Sequence, residues 1–512
     1  MTSVKSVKTK NIEANIVIIG GGGSGLAAAV SAAENGATGI VVLEKRAPGG
    51  NSAFAFCIFA ADSPVQKRQN IDCTRDACYK LAMNFAHWRI NPRIIRAFID
   101  KSGKTIQWLE GKGLEFFCTV ARQADHMSSQ HMIRGGGALI IKTLLQECKD
   151  KGVQVLSRTP AVKILKSANG NVTGVLAEKN GKKIRISADR VIIATGGFAG
   201  NKKLLREYCP YYYDDMICDG IPHAGDGLEM AVRAGAARDG HGALNASAPC
   251  APRTAFVMMD AHPEKIRISL KAIAGEPYSI WVNKNGIRFT DECITFYHYE
   301  AQNAFAIQPD KVAYSLYDSS MMQTMISEGT ALGLGMPWET PWNNTTETAK
   351  NKIRLPDLAR ALQQRVKNKI WVKVSDSWGE IARWIGADPT VLKATIDEYN
   401  RACELGRDPV FAKDPQYLRP LRNPPYFAVE GRITYVTSIG GIKINERMAV
   451  LDRNDNPIPG LYAAGVDTGG WESETYCSRI SGHAFGFTIN SGRIAGESAA
   501  EDLRKMDEAC EV

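Results

Sequence analysis

"NIVIIGGGGSGLAAAVSAAENGATGIVVLEK", residues 15–45, decides the fold. "NIVIIG" is a short run of β-branched apolar residues, the composition of a strand buried on both faces. An Ala-rich stretch follows and stops at Gly36, as a helix does, and "IVVLEK" repeats the strand signature. Strand, helix and strand within about 30 residues make one βαβ unit. Between the first strand and the helix, Gly20, Gly22 and Gly25 form G-x-G-x-x-G, with Gly23 and Ser24 completing the turn. Gly20 makes the tight turn, Gly22 lets the backbone approach a pyrophosphate, and Gly25 lets helix and strand pack closely. The unpaired N–H groups of the helix start suit the phosphates. Glu44 ends the second strand, followed by Lys45. Its carboxylate accepts hydrogen bonds from ribose hydroxyls and repels a 2′-phosphate. The whole pattern predicts dinucleotide binding.

Two further small-residue turns follow apolar strands. "ATGGF" holds Ala194, Thr195, Gly196 and Gly197, and "GLYAAGVDTGG" holds Gly465 and Asp467. A nicotinamide dehydrogenase seldom needs them, whereas FAD is long and is held along its length, so the three turns together favour FAD. Around them, the spacing predicts helices near 74–87 and 92–112, a β-meander over 153–193 and a strand leading into "ATGGF". Residues 256–436 have a different texture, with an aromatic hairpin, helices near 356–368 and 389–406, and the Pro-rich "LRPLRNPPY". The expected architecture is α/β: a Rossmann-like FAD-binding domain over 1–255 and 437–512, carrying an inserted α+β capping domain at 256–436.

Composition narrows the function. The chain has 512 residues, 44% hydrophobic and 23% charged, with 63 Lys and Arg against 54 Asp and Glu. The charge of +9 is scattered rather than striped, which points away from nucleic acid. No run of 18 apolar residues and no secretory leader is evident, so no membrane partner and a cytoplasmic location are expected. The twelve Cys contain no C-x-x-C, which argues against a metal site and fits reduced thiols.

The motifs "IIGGGGSGLAAA", "LEKRAPGGNS", "VIIATGGF", "HAGDGLEMAVRAGA", "NKNGIRF", "IPGLYAAG" and "NSGRIAGE" resemble the soluble FAD-dependent fumarate reductase flavoproteins and 3-ketosteroid dehydrogenases. The resemblance covers most of the chain. It implies hydride exchange between flavin N5 and an activated C=C bond, a small-molecule substrate, and an external electron donor or acceptor. It places Gly49, Gly50, Asn51, Ser52 and Asp226 near the cofactor, and puts Asp467 where the family often has an acid on the ribityl chain. Ser481, Gly482, Ala484 and Phe485 form a helix start whose N–H groups face the flavin. "GGNSAF" lacks the His used for covalent attachment in membrane-bound relatives, so noncovalent FAD is expected.

The resemblance leaves the proton donor open. In the fumarate reductases an Arg stands eight positions after the Arg of G-x-R-F. Here Arg288 is followed eight positions on by Phe296, and Tyr297 comes one residue later. The ketosteroid enzymes use a Tyr there, and a Tyr is a protonated yet transferable acid at neutral pH. Tyr299 shares the face of Tyr297 if the strand continues, and His298 reads as structural. Arg479 in "CSRISGHA" matches a substrate-carboxylate Arg. His262 in "DAHPEK" echoes a substrate contact, and Tyr435 lines the wall where a family His is missing. These residues predict an FAD oxidoreductase on a C=C bond larger than fumarate, working as a reductase. The alternatives are a 3-ketosteroid dehydrogenase and an electron-transfer subunit.

Overall fold

A computed structural model describes residues 10–121, 125–250, 256–261, 264–328 and 371–510. The helix expected near 356–368 and the side chain of His262 lie outside them. The chain divides into two compact units: Met1–Asp214, Gly220–Asn245 and Val436–Val512 form the first, and Asp215–Asp219 with Ala246–Tyr435 the second.

The first unit is built on the βαβ motif. Ile16–Ile19 and Ile40–Leu43 are strands with every residue buried, and Gly23–Glu34 is the helix between them. They sit inside a six-stranded sheet in the order Ala449–Leu451, Pro457–Ala463, Arg190–Ile193, Ile16–Ile19, Ile40–Leu43, Gln154–Leu156. All but the first pair are parallel, which is why the strands read as unbroken apolar runs. Both strands that lead into the later glycine turns lie in this sheet, so all three turns emerge at the carboxyl ends of neighbouring strands, where α/β sheets bind ligands. The meander is shorter than its sequence range: Ala161–Lys166, Val172–Lys179 and Lys182–Ser187 pair antiparallel, while Gln154–Leu156 joins the main sheet. The expected helices appear as Arg75–Phe85 and Pro92–Glu110. The long His483–Cys510 helix packs against Gly23–Glu34. Among the described residues no helix is long and apolar enough to cross a membrane, and no group of three or more His, Cys, Asp or Glu could hold a metal ion.

One buried polar group in this unit is satisfied locally. His131 is fully buried on the Gln130–Ile133 strand, with Nε2 2.7 Å from Ser63 Oγ and Nδ1 3.0 Å from the Ser129 carbonyl. Burial pushes its pKa down to about 4, against the pull of the Ser129 carbonyl. A base with a lowered folded pKa is protonated first in the unfolded chain. Stability is therefore intact above the ordinary His value and falls as pH drops from about 6.5 towards 4. Thermal melts across this window should fall in the wild type, and His131→Asn should flatten the fall. An unchanged slope in the variant would assign it to other groups.

In the second unit, the Tyr426–Tyr435 part of the long strand Tyr426–Ile442 pairs with Ala313–Tyr317, Val372–Ser375 and Ile217–Cys218. Trp378–Ile385 and Pro389–Glu404 are helices of its apolar core. The stretch 283–300 departs from its reading. Ile280–Asn283 is a strand, and Val282 bridges back to Arg288, but the chain then turns through a 3-10 segment, Glu292–Phe296, into the helix His298–Ala306. The strand does not continue through Tyr299: Tyr297 is the extended cap and Tyr299 lies inside the helix, so strand alternation does not put them on one face.

Candidate functional site

The phosphate turn is held by close backbone packing. Gly20 has φ +114°, and a Cβ there would stand 2.2 Å from the Ala194 carbonyl; one on Gly25 would stand 1.9 Å from the Gly20 carbonyl. Only glycine fits at either position. The Gly23 N–H donates to Ser52 Oγ (3.1 Å), and the Gly49 N–H to the Gly21 carbonyl (2.9 Å). These bonds bring "GGNS" against the helix start. Ser24 is buried, its Oγ 2.8 Å from where a Cβ on Gly465 would sit, so the first and third turns touch. Above Gly22 the space is open: a Cβ there would meet only the Gly49 carbonyl, at 3.8 Å.

Glu44 is oriented before any ribose arrives. Oε2 accepts from the Gly21 N–H (2.9 Å) and Oε1 from the Arg46 N–H (2.7 Å). A carboxylate has about four lone-pair sites, so capacity remains for hydroxyls. Lys45 pairs with Asp226, which opens the Asp226–Arg233 helix. Asn51 has a second task beyond the cofactor: its Oδ1 accepts from the Ile221 N–H (2.6 Å) and its Nδ2 donates to the Val436 carbonyl (3.1 Å).

Asp467 is fully buried and does something the motif reading did not give it. The consecutive N–H groups of Thr195, Gly196 and Gly197 and the Thr195 hydroxyl all donate to its carboxylate. It shapes the "ATGG" turn from inside. Burial pushes its pKa up, against the pull of these donors. Thr195 Oγ1 in turn accepts from the Gly227 N–H (3.1 Å), which ties in the Asp226 helix.

At the start of the His483–Cys510 helix, the Ser481 carbonyl accepts from Ser129 Oγ (3.3 Å), and Gly482 lies against Ile58 and Phe59. The Ala484 N–H donates to Tyr476 Oη (3.0 Å), and Phe485 is buried. His483 is buried among Phe59, Phe98, Trp471 and Tyr476, with Nδ1 2.7 Å from Glu472 Oε1. Tyr476 was missed in the sequence, although it stands three residues before Arg479.

All the cofactor residues predicted from sequence fall in the first unit. Arg479 lies there too, half-buried, with Nε 3.3 Å from Asp125 Oδ2 and its guanidinium 5.6 Å from the Phe85 ring centroid. Burial acts to raise the Asp125 pKa, but His126 and Arg479 outweigh it and hold it low. Tyr297 and Tyr435 belong to the second unit. Tyr297 caps the His298–Ala306 helix and is half-buried, while Tyr435 and Tyr299 are each 4% exposed.

The groove fits a dinucleotide. It has an open floor over Gly22, a pre-oriented acid at the ribose position, and the His223 Nε2 facing the second glycine turn. Comparison with known proteins agrees. Residues 15–476 match the family described as FAD binding domain. A vinyl phenol reductase of Lactiplantibacillus plantarum is 29% identical over 95% of this chain and 96% of its own. A fumarate reductase (cytochrome) of Shewanella frigidimarina is 26% identical over 96% of this chain and 78% of its own. In fold, a 3-ketosteroid Δ1-dehydrogenase from Sterolibacterium denitrificans superposes with a TM-score of 0.72 at 18% identity, covering 96% of this chain and all of that one.

Proposed function

The chain belongs to the FAD binding domain family, and on that premise we propose an FAD-dependent reductase of a C=C bond conjugated to a neutral phenol or carbonyl. The Arg479–Asp125 pair carries the substrate class. A carboxylate substrate at Arg479 would meet Asp125, and like charges at close range cost several kcal/mol. A phenol or carbonyl oxygen needs only a hydrogen bond. The vinyl phenol reductase, similar over nearly the whole of both chains, supports the same reading.

Bound in the glycine groove, FAD supplies the hydride chemistry. The chain's own residues bind, orient and protonate. The Gly20–Gly25 turn and Ser52 receive the pyrophosphate, and Glu44 receives the ribose. Asp467 fixes the "ATGG" turn. The start of the His483–Cys510 helix offers its positive end to developing negative charge. Tyr297 supplies the proton to the carbon next to the one that gains hydride. The electron donor is external.

The test uses photoreduced enzyme and reads flavin reoxidation by a vinyl phenol, a hydroxycinnamate, its methyl ester, fumarate and a 3-keto-4-ene steroid. The vinyl phenol or the ester should reoxidise the flavin faster than fumarate does. Arg479→Ala should lose equally on the acid and the ester, less than about tenfold on each. A larger loss confined to the acid would restore carboxylate anchoring and reject a neutral handle. Acid precipitation should release free FAD, because "GGNSAF" offers no His for attachment. Flavin that stays with the pellet would show a covalent bond.

A further inference from the structure

His223 stands in the cofactor groove without any part in the motifs. The backbone of the segment that carries it is held at three points. The Ile221 N–H is held by Asn51, the His223 N–H donates to the Ile221 carbonyl (2.9 Å), and the His223 carbonyl accepts from the Gly200 N–H (2.7 Å). The ring lies flat over the second glycine turn: a Cβ on Gly196 would meet Nε2, Cε1 and Cδ2 at 3.0, 3.1 and 3.2 Å. It also reaches the first turn. A Cβ on Gly50 would sit 4.0 Å from His223 Nε2 and 3.8 Å from Gly22 Cα. Imidazole, Gly50 and Gly22 thus border one space, the open space over the phosphate turn.

The ring lies between charges of both signs, with cations in excess. Lys45 and Arg46 face the ring from the end of the second strand, and Asp226 faces it from the helix that follows. Burial first, then the two cations, push the imidazole pKa down to about 4, with Asp226 opposing. The ring is neutral there and carries one N–H donor. Its Nε2 borders the space shared with Gly50 and Gly196, where a hydrogen bond to an incoming charged acceptor is worth most.

We propose that His223 is a dinucleotide-binding residue whose Nε2–H donates to a pyrophosphate oxygen. The proposal rests on the FAD reading and deepens it. Three proteins are compared as apoprotein: wild type, His223→Ala and His223→Gln, which keeps a donor. FAD rebinding is followed by flavin fluorescence, and ADP and adenosine are titrated as competitors.

His223→Ala should weaken FAD and ADP alike, by about 10- to 100-fold, the scale of one hydrogen bond to a charged acceptor. Adenosine should be unaffected, and His223→Gln should recover most of the loss. FAD affinity unchanged in His223→Ala overturns the assignment. Equal losses for ADP and adenosine also overturn it, since they would show a packing defect rather than a phosphate contact. A wild-type apoprotein that takes up no FAD overturns the flavin reading itself, and this proposal with it.

Discussion

Arg288→Met should cost the second unit about 3–5 kcal/mol, the scale for removing one partner from a buried ion pair. Arg288 is the Arg of "NKNGIRF", and its guanidinium is 6% exposed. It donates from Nε and one terminal nitrogen to the two oxygens of Glu292, at 2.8 Å each, and pairs with Asp408 at 2.7 Å. Glu292 is fully buried, and Lys413, also fully buried, donates to it at 3.0 Å and to the Ser279 carbonyl at 2.7 Å. The rings of Phe411 and Tyr399 lie 4.8 and 5.1 Å from the guanidinium. Two cations and two anions balance, so removing Arg288 strands one negative charge. Urea unfolding should show the loss, and Trp281, buried with its backbone N–H donating to Glu292, reports on the region. Restoring neutrality with Arg288→Met/Glu292→Gln should recover part of it. Single and double variants that each lose under about 1 kcal/mol would show that the network adds no stability.

The same cluster sets a pH dependence. Burial alone would raise the Glu292 pKa, but Lys413 and Arg288 outweigh it and hold the carboxyl below its ordinary value. A lowered folded pKa means stability that is complete above the ordinary Glu range and lost as pH falls through the lowered value. Acid melts of the Glu292→Gln variant should lack that step.

How much of this was legible before the fold was known depends on the distance along the chain. Gly20, Gly22, Gly25 and Glu44 lie within one βαβ unit, so their spacing alone carries the geometry. The strands at Arg190–Ile193 and Pro457–Ala463 were legible because burial on both faces leaves an apolar run. Partners far apart leave no such trace. Asp467 reaches Thr195 across 272 positions, and Asn51 reaches Ile221 across 170. Nothing local in "GVD" or "GNS" says which backbone groups these side chains serve. His223 was hidden for the same reason: "HAGDG" was read for its Asp and glycines, and the ring matters only once the loop folds over Gly196.

The stretch after Arg288 is a different kind of miss. Short aromatic runs do not separate strand from helix by periodicity. The signal lay one step earlier, in "TDE", where Asp291 Oδ1 accepts the Cys293 N–H and starts the turn. An Asp in that place is a start signal for a helical segment.

That correction sharpens the choice of proton donor. Tyr297→Phe should leave the fold and the flavin intact and slow substrate-driven flavin reoxidation by on the order of 10²-fold or more, the scale for a lost general acid. In a continuous strand, Tyr297 and Tyr299 would be equivalent candidates. With the helix beginning at His298, they are not. Tyr299 is 4% exposed and lies inside the helix. Tyr297 is the capping residue and is half-buried, so it is the less enclosed of the two rings. The helix that follows presents its positive end to this residue, and that charge favours the phenolate left when the proton departs. Tyr299→Phe should therefore keep the rate within a few-fold and lose only packing. Stopped-flow reoxidation of both photoreduced variants, with flavin content measured in parallel, decides between them. A wild-type rate in Tyr297→Phe would hand the proton to Tyr435 or Tyr476, and a slow Tyr299→Phe with a normal Tyr297→Phe would overturn the helical argument itself.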